Sequence, residues 1–288
     1  MNTEKFKVTG DFRGNGAGFD AFGIDESLSE KKLLSITKKN TKKISKLQDK
    51  LYADGRYAVL IVVQAMDAAG KDGVVKKVMS GVNPQGVDVY SFKQPSKKEL
   101  AHDYLWRAVN VLPERGKIAI FNRSYYEDVL IGKVHKLYEN YNLPDRCKAE
   151  DTIEKRYEQI RNFEDHLWEN GIITVKFFLN VSKNEQRNRF LKRIENKNKN
   201  WKFELGDLEE RKYWDDYQVA YTDAICETAT EKNPWYIVPA DNKTFTRAVV
   251  SEVLLEVMKT IDPQYPTISE QQRDELLECK KLLEEEAE

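Results

Sequence analysis

Five short apolar segments rich in β-branched residues recur between helical stretches of this 288-residue chain: Ala58–Gln64, Val87–Phe92, Lys117–Phe121, Ile173–Val181 and Trp235–Val238. A strand that is apolar at every position offers water no face, so it belongs inside a sheet covered on both sides. Parallel strands joined by helices cross over with one hand, which predicts a doubly wound α/β fold. In such sheets ligands bind beyond the carboxyl ends of the strands. The residues that follow each strand therefore carry the functional information.

After the first strand the chain reads Gln64-Ala65-Met66-Asp67-Ala68-Ala69-Gly70-Lys71-Asp72-Gly73 and then enters the helical run VVKKVMSGV. Strand, small-residue turn, lysine and helix is the setting of a phosphate-binding P-loop. Small residues let backbone N–H groups close round phosphate oxygens, the helix start adds partial positive charge, and Lys71 adds a full one. Ala65 stands where the general pattern has its first glycine, and Asp72 where it has a Mg²⁺-binding hydroxyl. The competing reading is an ordinary strand-to-helix turn bent at Gly70.

The third strand ends in Phe121-Asn122-Arg123-Ser124-Tyr125-Tyr126-Glu127-Asp128. Asp67 and Asp128 are candidates to share Mg²⁺, which takes one or two carboxylates and completes its octahedron with water and phosphate oxygens. Arg123 is a candidate for a bidentate phosphate clamp. Asp128 equally suits the start of a helix, where the macrodipole favours a carboxylate.

The fourth strand runs into a basic stretch, Lys183–Lys202, with eight basic and two acidic residues, a net of +6. Ser182 and Glu185 resemble a capping box that starts a helix. Arg189 and Arg193, four apart, share one face of it. Over a phosphate loop, such a helix pair is a lid that carries arginines to a transferring phosphoryl group. Without that loop it is a solvated basic surface.

Residues 1–30 are Gly-rich and polar and read as an extended arm. From Lys31 to Lys50 there are eight lysines and one aspartate, a net of +7, on a helix whose apolar positions are Leu33, Leu34, Ile44, Leu47 and Leu51. The choice is between a solvated face and a rail for a polyanion, with Lys39, Lys43, Lys46 and Lys50 above all forming part of its path. Ser269–Glu288 carries eight acids and three bases, a net of −5, and reads as a solvated tail or an oligomer contact.

Composition bounds the rest. The longest apolar run, Ala58–Val63, is far shorter than the ~20 residues that span a bilayer, and no apolar leader is present. Cys147, Cys226 and Cys279 are scattered, without the spacing of a zinc site or a disulfide framework, which fits a reducing cytoplasm. His102, His135 and His166 are isolated from them. The whole chain has net charge −1, so only local charge argues for an anionic partner.

Several of these segments together resemble the family-2 polyphosphate kinases: AMDAAGKDG (65–73), SFKQPSKKELAHDYLWR (91–107), IFNRSYYEDVLIGKVH (120–135), KFFLNVSKNEQRNRFLKR (176–193), and WKF, GDLEER and PWYIVPAD between Trp201 and Asp241. The longer match is to the subgroup that phosphorylates nucleoside mono- and diphosphates, often called class III, and it runs from about Phe22 to Val257. The resemblance implies a three-layer P-loop kinase fold with a five-stranded parallel sheet and a helical lid. It implies one domain over residues 1–288, with arm and basic helix in 1–55, lid at about 183–212 and acidic helix at 269–288. It implies Mg²⁺-assisted, reversible transfer of a terminal phosphoryl group from inorganic polyphosphate to AMP or ADP, in a cytoplasmic homo-oligomer with no nucleic-acid or membrane partner. Lys71 would hold the transferring phosphate, and Asp67 and Asp128 the Mg²⁺. Arg123, Arg189 and Arg193 would contact phosphates, with Ala68, Ala69, Gly70, Asp72, Gly73 and Asn122 lining the site. Asp72 agrees with this subgroup, whereas Ala65 stands where the family usually has glycine.

The competing functions are an ATP-dependent nucleotide kinase on the same fold and a non-catalytic binder of polyphosphate or RNA. Carboxylates inside a basic anion site argue against a mere binder. Trp106, Tyr126 and Phe92 are aromatic candidates for stacking a base, though core packing suits each of them better.

Overall fold

In the computed structural model, residues 1–16 and 18–286 are described. Six strands form one mixed sheet: β1 (Lys7–Val8), β2 (Ala58–Gln64), β3 (Val87–Ser91), β4 (Ile118–Asn122), β5 (Ile172–Asn180) and β6 (Trp235–Pro239), in the order β1-β6-β5-β2-β4-β3. The five expected strands are all present and mutually parallel. All seven residues of β2 are buried, as a central strand with two covered faces requires. Because β2 lies between β4 and β5, the winding reverses at its carboxyl end, and a crevice opens there.

The expected five-stranded sheet is corrected by β1. This two-residue strand pairs antiparallel with β6, Lys7 opposite Tyr236. The arm that supplies it is packed rather than extended. Phe6 meets Phe245 edge-on with centroids 6.0 Å apart, and Phe12 touches Phe19 and Phe22. Arg13 bonds Asp223 at 3.3 Å and Glu227 at 2.7 Å. Nonlocal aromatic contacts outweigh the Gly-rich local composition.

The helices Glu30–Asp54, Lys71–Val78 and Lys243–Ile261 pack together as one layer. The basic helix begins at Ser29, whose hydroxyl accepts from the Lys32 N–H, and ends at Gly55 in the left-handed conformation. Its inner face is partly polar: Asn40 donates to Ser251 and to Glu252. The helices Thr152–Glu169 and Trp214–Thr228 cover the sheet face that carries Lys176 and Phe178. No helix among the described residues is long and apolar enough to cross a membrane.

A buried ion pair lies beneath this second layer. Lys176 of β5 and Glu164 of the Thr152–Glu169 helix are both fully buried, with Nζ and Oε2 2.5 Å apart. Tyr125 and Tyr126 both donate to Glu164 at 2.8 Å, and Lys176 also donates to the Thr228 carbonyl at 2.9 Å. Burial pulls the Lys176 ammonium below its ordinary range, against the pull of Glu164. Removing one partner strands a buried charge. Lys176→Met should cost about 3–5 kcal/mol in urea unfolding, and the double variant Lys176→Met/Glu164→Gln should cost less. A single variant as stable as the wild type would contradict this account.

Candidate active site

The crevice at the carboxyl end of β2 holds a cleft of about 810 Å³. Its walls carry ten cations (Lys71, Lys93, Arg123, Arg189, Lys192, Arg193, Lys199, Lys202, Lys243 and Arg247) and four carboxylates (Asp67, Asp72, Glu204 and Asp207). The local net of +6 stands in a chain of net −1. Potentials of one sign are focused in such a concavity and draw in anions.

The floor is the loop after β2. Gly70 takes φ +106° immediately before the Lys71–Val78 helix, a conformation that favours glycine. Ala68 and Arg123 are non-glycine residues also held at positive φ, +61° and +64°. Left-handed side-chain-bearing residues persist where the surroundings over-determine them, and they cluster at functional sites. Lys71 Nζ curls back to the Ala65 carbonyl at 2.8 Å. Burial, assisted by the Arg123 charge, pushes its pKa down to about 8.

Arg189 pins this loop. Its guanidinium donates to the carbonyls of Ala68 and Ala69 at 3.0 and 2.6 Å. It also reaches the carbonyls of Ala240 and Asp241 beyond β6, and Nε bonds Glu185 at 2.7 Å. The residue is 5% exposed. Expected as a phosphate contact, it has its donors engaged by the backbone in this conformation and ties the loop to the far edge of the crevice. Arg193, one turn on, stands on the cleft wall, bonded to the Lys202 carbonyl at 3.1 Å and 3.9 Å from Asp207.

Arg123 projects into the cleft from the end of β4. It bonds Asp67 at 2.7 Å and lies 3.7 Å from Glu127. Glu127 above all, then Asp67, holds its guanidinium firmly charged against the pull of burial. Asn122 donates to Asp72 at 2.9 Å, and Lys202, on the turn Asn200–Lys202, reaches the other oxygen of Asp72 at 3.1 Å. One carboxylate thus joins the loop, the end of β4 and the basic segment after the Lys183–Glu195 helix.

The cleft therefore gathers Asp67, Ala68, Ala69, Gly70, Lys71, Asp72, Gly73, Asn122, Arg123, Arg189 and Arg193. Asp128 is not among its lining residues. It lines a neighbouring cavity of about 250 Å³ and faces Arg156, whose Nη1 lies 3.0 Å from its carbonyl and 3.4 Å from its carboxylate. Burial raises its pKa to about 6, with the Arg156 charge opposing. Glu127, its neighbour in sequence, turns the other way. It accepts from Gln64 at 3.0 Å and shares a third cavity with Asp67 and Arg123.

None of Lys39, Lys43, Lys46 and Lys50 lines the cleft among the described residues. Lys192, Lys199, Lys243 and Arg247 do. The signal for the last two was available, because they follow the carboxyl end of the fifth strand. Of the aromatic candidates, Phe92 lies on the cleft wall against Phe121. Tyr126 is fully buried, and Trp106 stacks on His102 with centroids 4.0 Å apart.

The sheet and cleft define an α/β protein with a cationic anion-binding crevice at the switch point of its sheet. The chain belongs to the polyphosphate kinase 2 family, whose model matches residues 27–266. It is 51% identical over 250 residues, 86% of each chain, to an ADP-polyphosphate phosphotransferase of Rhodopseudomonas palustris. It is 47% identical over 225 residues, 78% of this chain and 80% of the other, to an AMP/ADP-polyphosphate phosphotransferase of Meiothermus ruber. The crystal structure of polyphosphate kinase 2 from Arthrobacter aurescens superposes with a TM-score of 0.84 at 35% identity, covering 95% of both chains.

Two measurements check this geometry. If Arg189 ties the loop, Arg189→Ala should lower the thermal midpoint by several degrees, as a loss of about 1–3 kcal/mol does; an unchanged midpoint would mark it as a ligand contact only. Lys71 carries its charge below about pH 8 and loses it above. Tripolyphosphate affinity of the unliganded protein should therefore fall as pH rises through that value, and the Lys71→Arg profile should stay flat there.

Proposed function

We propose that this chain transfers the terminal phosphoryl group of inorganic polyphosphate to a nucleoside mono- or diphosphate, reversibly and with Mg²⁺. The names of its relatives support the substrate pair. The observation that carries the reading is the +6 cleft built on a lysine-bearing loop, with the Asp67 carboxylate inside it. We read the fold as a P-loop kinase with a lid at about 183–212.

The reaction breaks the bond between the terminal phosphorus of polyphosphate and its bridging oxygen. A terminal phosphate oxygen of the nucleotide forms the new bond, so polyphosphate shortens by one unit as ADP becomes ATP. That oxygen is already anionic near neutrality, because the second phosphate pKa is about 6. No general base is required, and none of the three histidines lines the cleft. The difficulty is repulsion between two anions, which positioning and charge neutralisation overcome. Lys71 and Arg123 supply fixed charge at the loop. Lys192, Lys199, Lys243 and Arg247 extend it along the cleft, where the reacting end of a chain of phosphates would lie.

The donor set suits Mg²⁺ that arrives with its phosphates: no group of three or more carboxylate, imidazole or thiol ligands exists among the described residues, and Mg²⁺ asks for one or two carboxylates. Asp67 would hold it, and Glu127 is better placed than Asp128 as the second anchor. The ion would supply charge neutralisation of the phosphoryl oxygens. Asp128 instead faces the smaller cavity, where Leu100, Tyr104, Tyr141 and Leu143 offer apolar walls and Arg107 a charge; a nucleoside acceptor would fit there. Three free cysteines accord with a cytoplasmic setting.

Purified protein given Mg²⁺, ADP and polyphosphate, without ATP, should form ATP. Lys71→Ala and Arg123→Ala should each lose about 10³-fold in turnover. Glu127→Gln should raise the Mg²⁺ requirement, and Asp128→Asn should act on the nucleotide KM. Absence of ATP would favour an ATP-dependent kinase, and near-normal turnover of Lys71→Ala would remove the loop from the chemistry.

A further inference from the structure

Every lysine from Lys31 to Lys46 on the helix Glu30–Asp54 is exposed. At 3.6 residues per turn, all seven fall within about 140° of its circumference. The buried residues Leu33, Thr37, Asn40, Ile44 and Leu51 lie opposite. Lys38 and Lys42, Lys39 and Lys43, and Lys42 and Lys46 stand one turn apart, where like charges repel. None of the seven is in an ion pair among the described residues. A face kept for solubility alone mixes both signs, yet Asp49 is the one acid between Lys31 and Lys50. The same stretch holds no aromatic residue. It offers charge without a platform on which a nucleic-acid base could stack.

This face continues from the cleft. The helix runs parallel to Lys243–Ile261: Asn40 bonds Ser251 and Glu252, and Asp54, at its end, accepts from the Gln264 N–H just beyond the other helix. Counted back from Asn40, the turn with Lys31 and Lys32 stands level with the start of that helix, where Lys243 and Arg247 line the cleft. The helix Lys71–Val78 makes a second connection. It leaves the loop, presents Lys76 and Lys77 to solvent, and is followed by Gly81, whose carbonyl accepts from the Ser45 hydroxyl at 2.6 Å. Lys50 closes the lower end, half-buried and over the Tyr265 ring at 6.0 Å. From Lys31 to Lys46 the face is about 22 Å long.

We propose that this lysine face is a second polyphosphate-binding site, which holds the distal phosphates of a long donor whose reacting end lies in the cleft. The proposal rests on the polyphosphate reading of the cleft. A donor long enough to reach both sites is held by two linked contacts, so the helix raises affinity for long chains and adds nothing for a donor confined to the cleft. It lies away from the reacting atoms and leaves turnover at saturation unchanged.

Calorimetric binding to the full chain at several salt concentrations should separate long-chain polyphosphate from tripolyphosphate. Lys39→Gln/Lys43→Gln/Lys46→Gln keeps helix-forming side chains. It should weaken long-chain binding about 10-fold and reduce the salt slope by about 2, as the loss of three phosphate contacts does. Tripolyphosphate affinity should stay unchanged. With ADP as acceptor, KM for the long donor should rise by the same factor, while kcat and the tripolyphosphate KM stay put. Lys39→Arg/Lys43→Arg/Lys46→Arg should bind like the wild type. So should Lys136→Gln/Lys232→Gln/Lys281→Gln, which removes as much charge elsewhere on the surface. Unchanged long-chain affinity in the first variant, an equal loss for tripolyphosphate, or an equal loss in the last variant would each overturn the proposal. Single-stranded RNA of matched charge that binds this face more tightly than long-chain polyphosphate would also overturn it and mark a nucleic-acid site. Failure to form ATP from ADP and tripolyphosphate would strike the reading of the cleft instead, and the long-chain binding comparison would still decide the helix.

Discussion

Mutual repulsion among ten cations is the constraint to which the architecture of the cleft answers. Two unit charges about 7 Å apart repel by about 0.6 kcal/mol in water and by several times that near protein. Carboxylates in and beside the site offset some of these charges: Asp67 meets Arg123, Asp72 meets Lys202, Asp207 approaches Arg193, and Glu185, behind the wall, meets Arg189. Backbone carbonyls take up further donors of Arg189, Arg193 and Lys71. What is left uncompensated is the field available to an incoming polyanion.

Arg123 depends on the core beneath it. Tyr125 and Tyr126, two and three residues further on, are anchored by their hydroxyls to the buried Glu164. The Arg123 amide also bonds the Val63 carbonyl at 3.1 Å, which ties the end of β4 to β2. The positive φ of Arg123 is therefore held from both sides, and the guanidinium is delivered to the cleft rather than left to search for it.

The parallel strands were legible in the sequence because continuous apolar runs have few other uses, and the turn from β2 into the Lys71–Val78 helix because small residues and Gly70 stand between a strand and a helical run. Three features were not. β1 is two residues long and exists through pairing with β6, a distant segment. The spacing of Arg189 and Arg193 put them on one helix face, yet it could not show that carbonyls beyond β6 would capture the first of them. The third concerns Glu127 and Asp128, which lie on a 3₁₀ turn, Tyr125–Val129. There, successive side chains diverge by about 120°, so one carboxylate turns toward the loop and the other toward Arg156.

Arg189 also sets where the roof of the crevice can bend. A helix riveted through its second turn to both the loop floor and the end of β6 cannot pivot at its root. The first extended residue beyond it is Asn196, at φ −97° and ψ 106°. Beyond that residue the chain brings Lys199, Trp201 and Lys202 to the cleft wall, while Arg193 stays on the riveted helix. The outer cations of the cleft thus hang on a segment mechanically separate from the loop floor that Arg189 holds rigid.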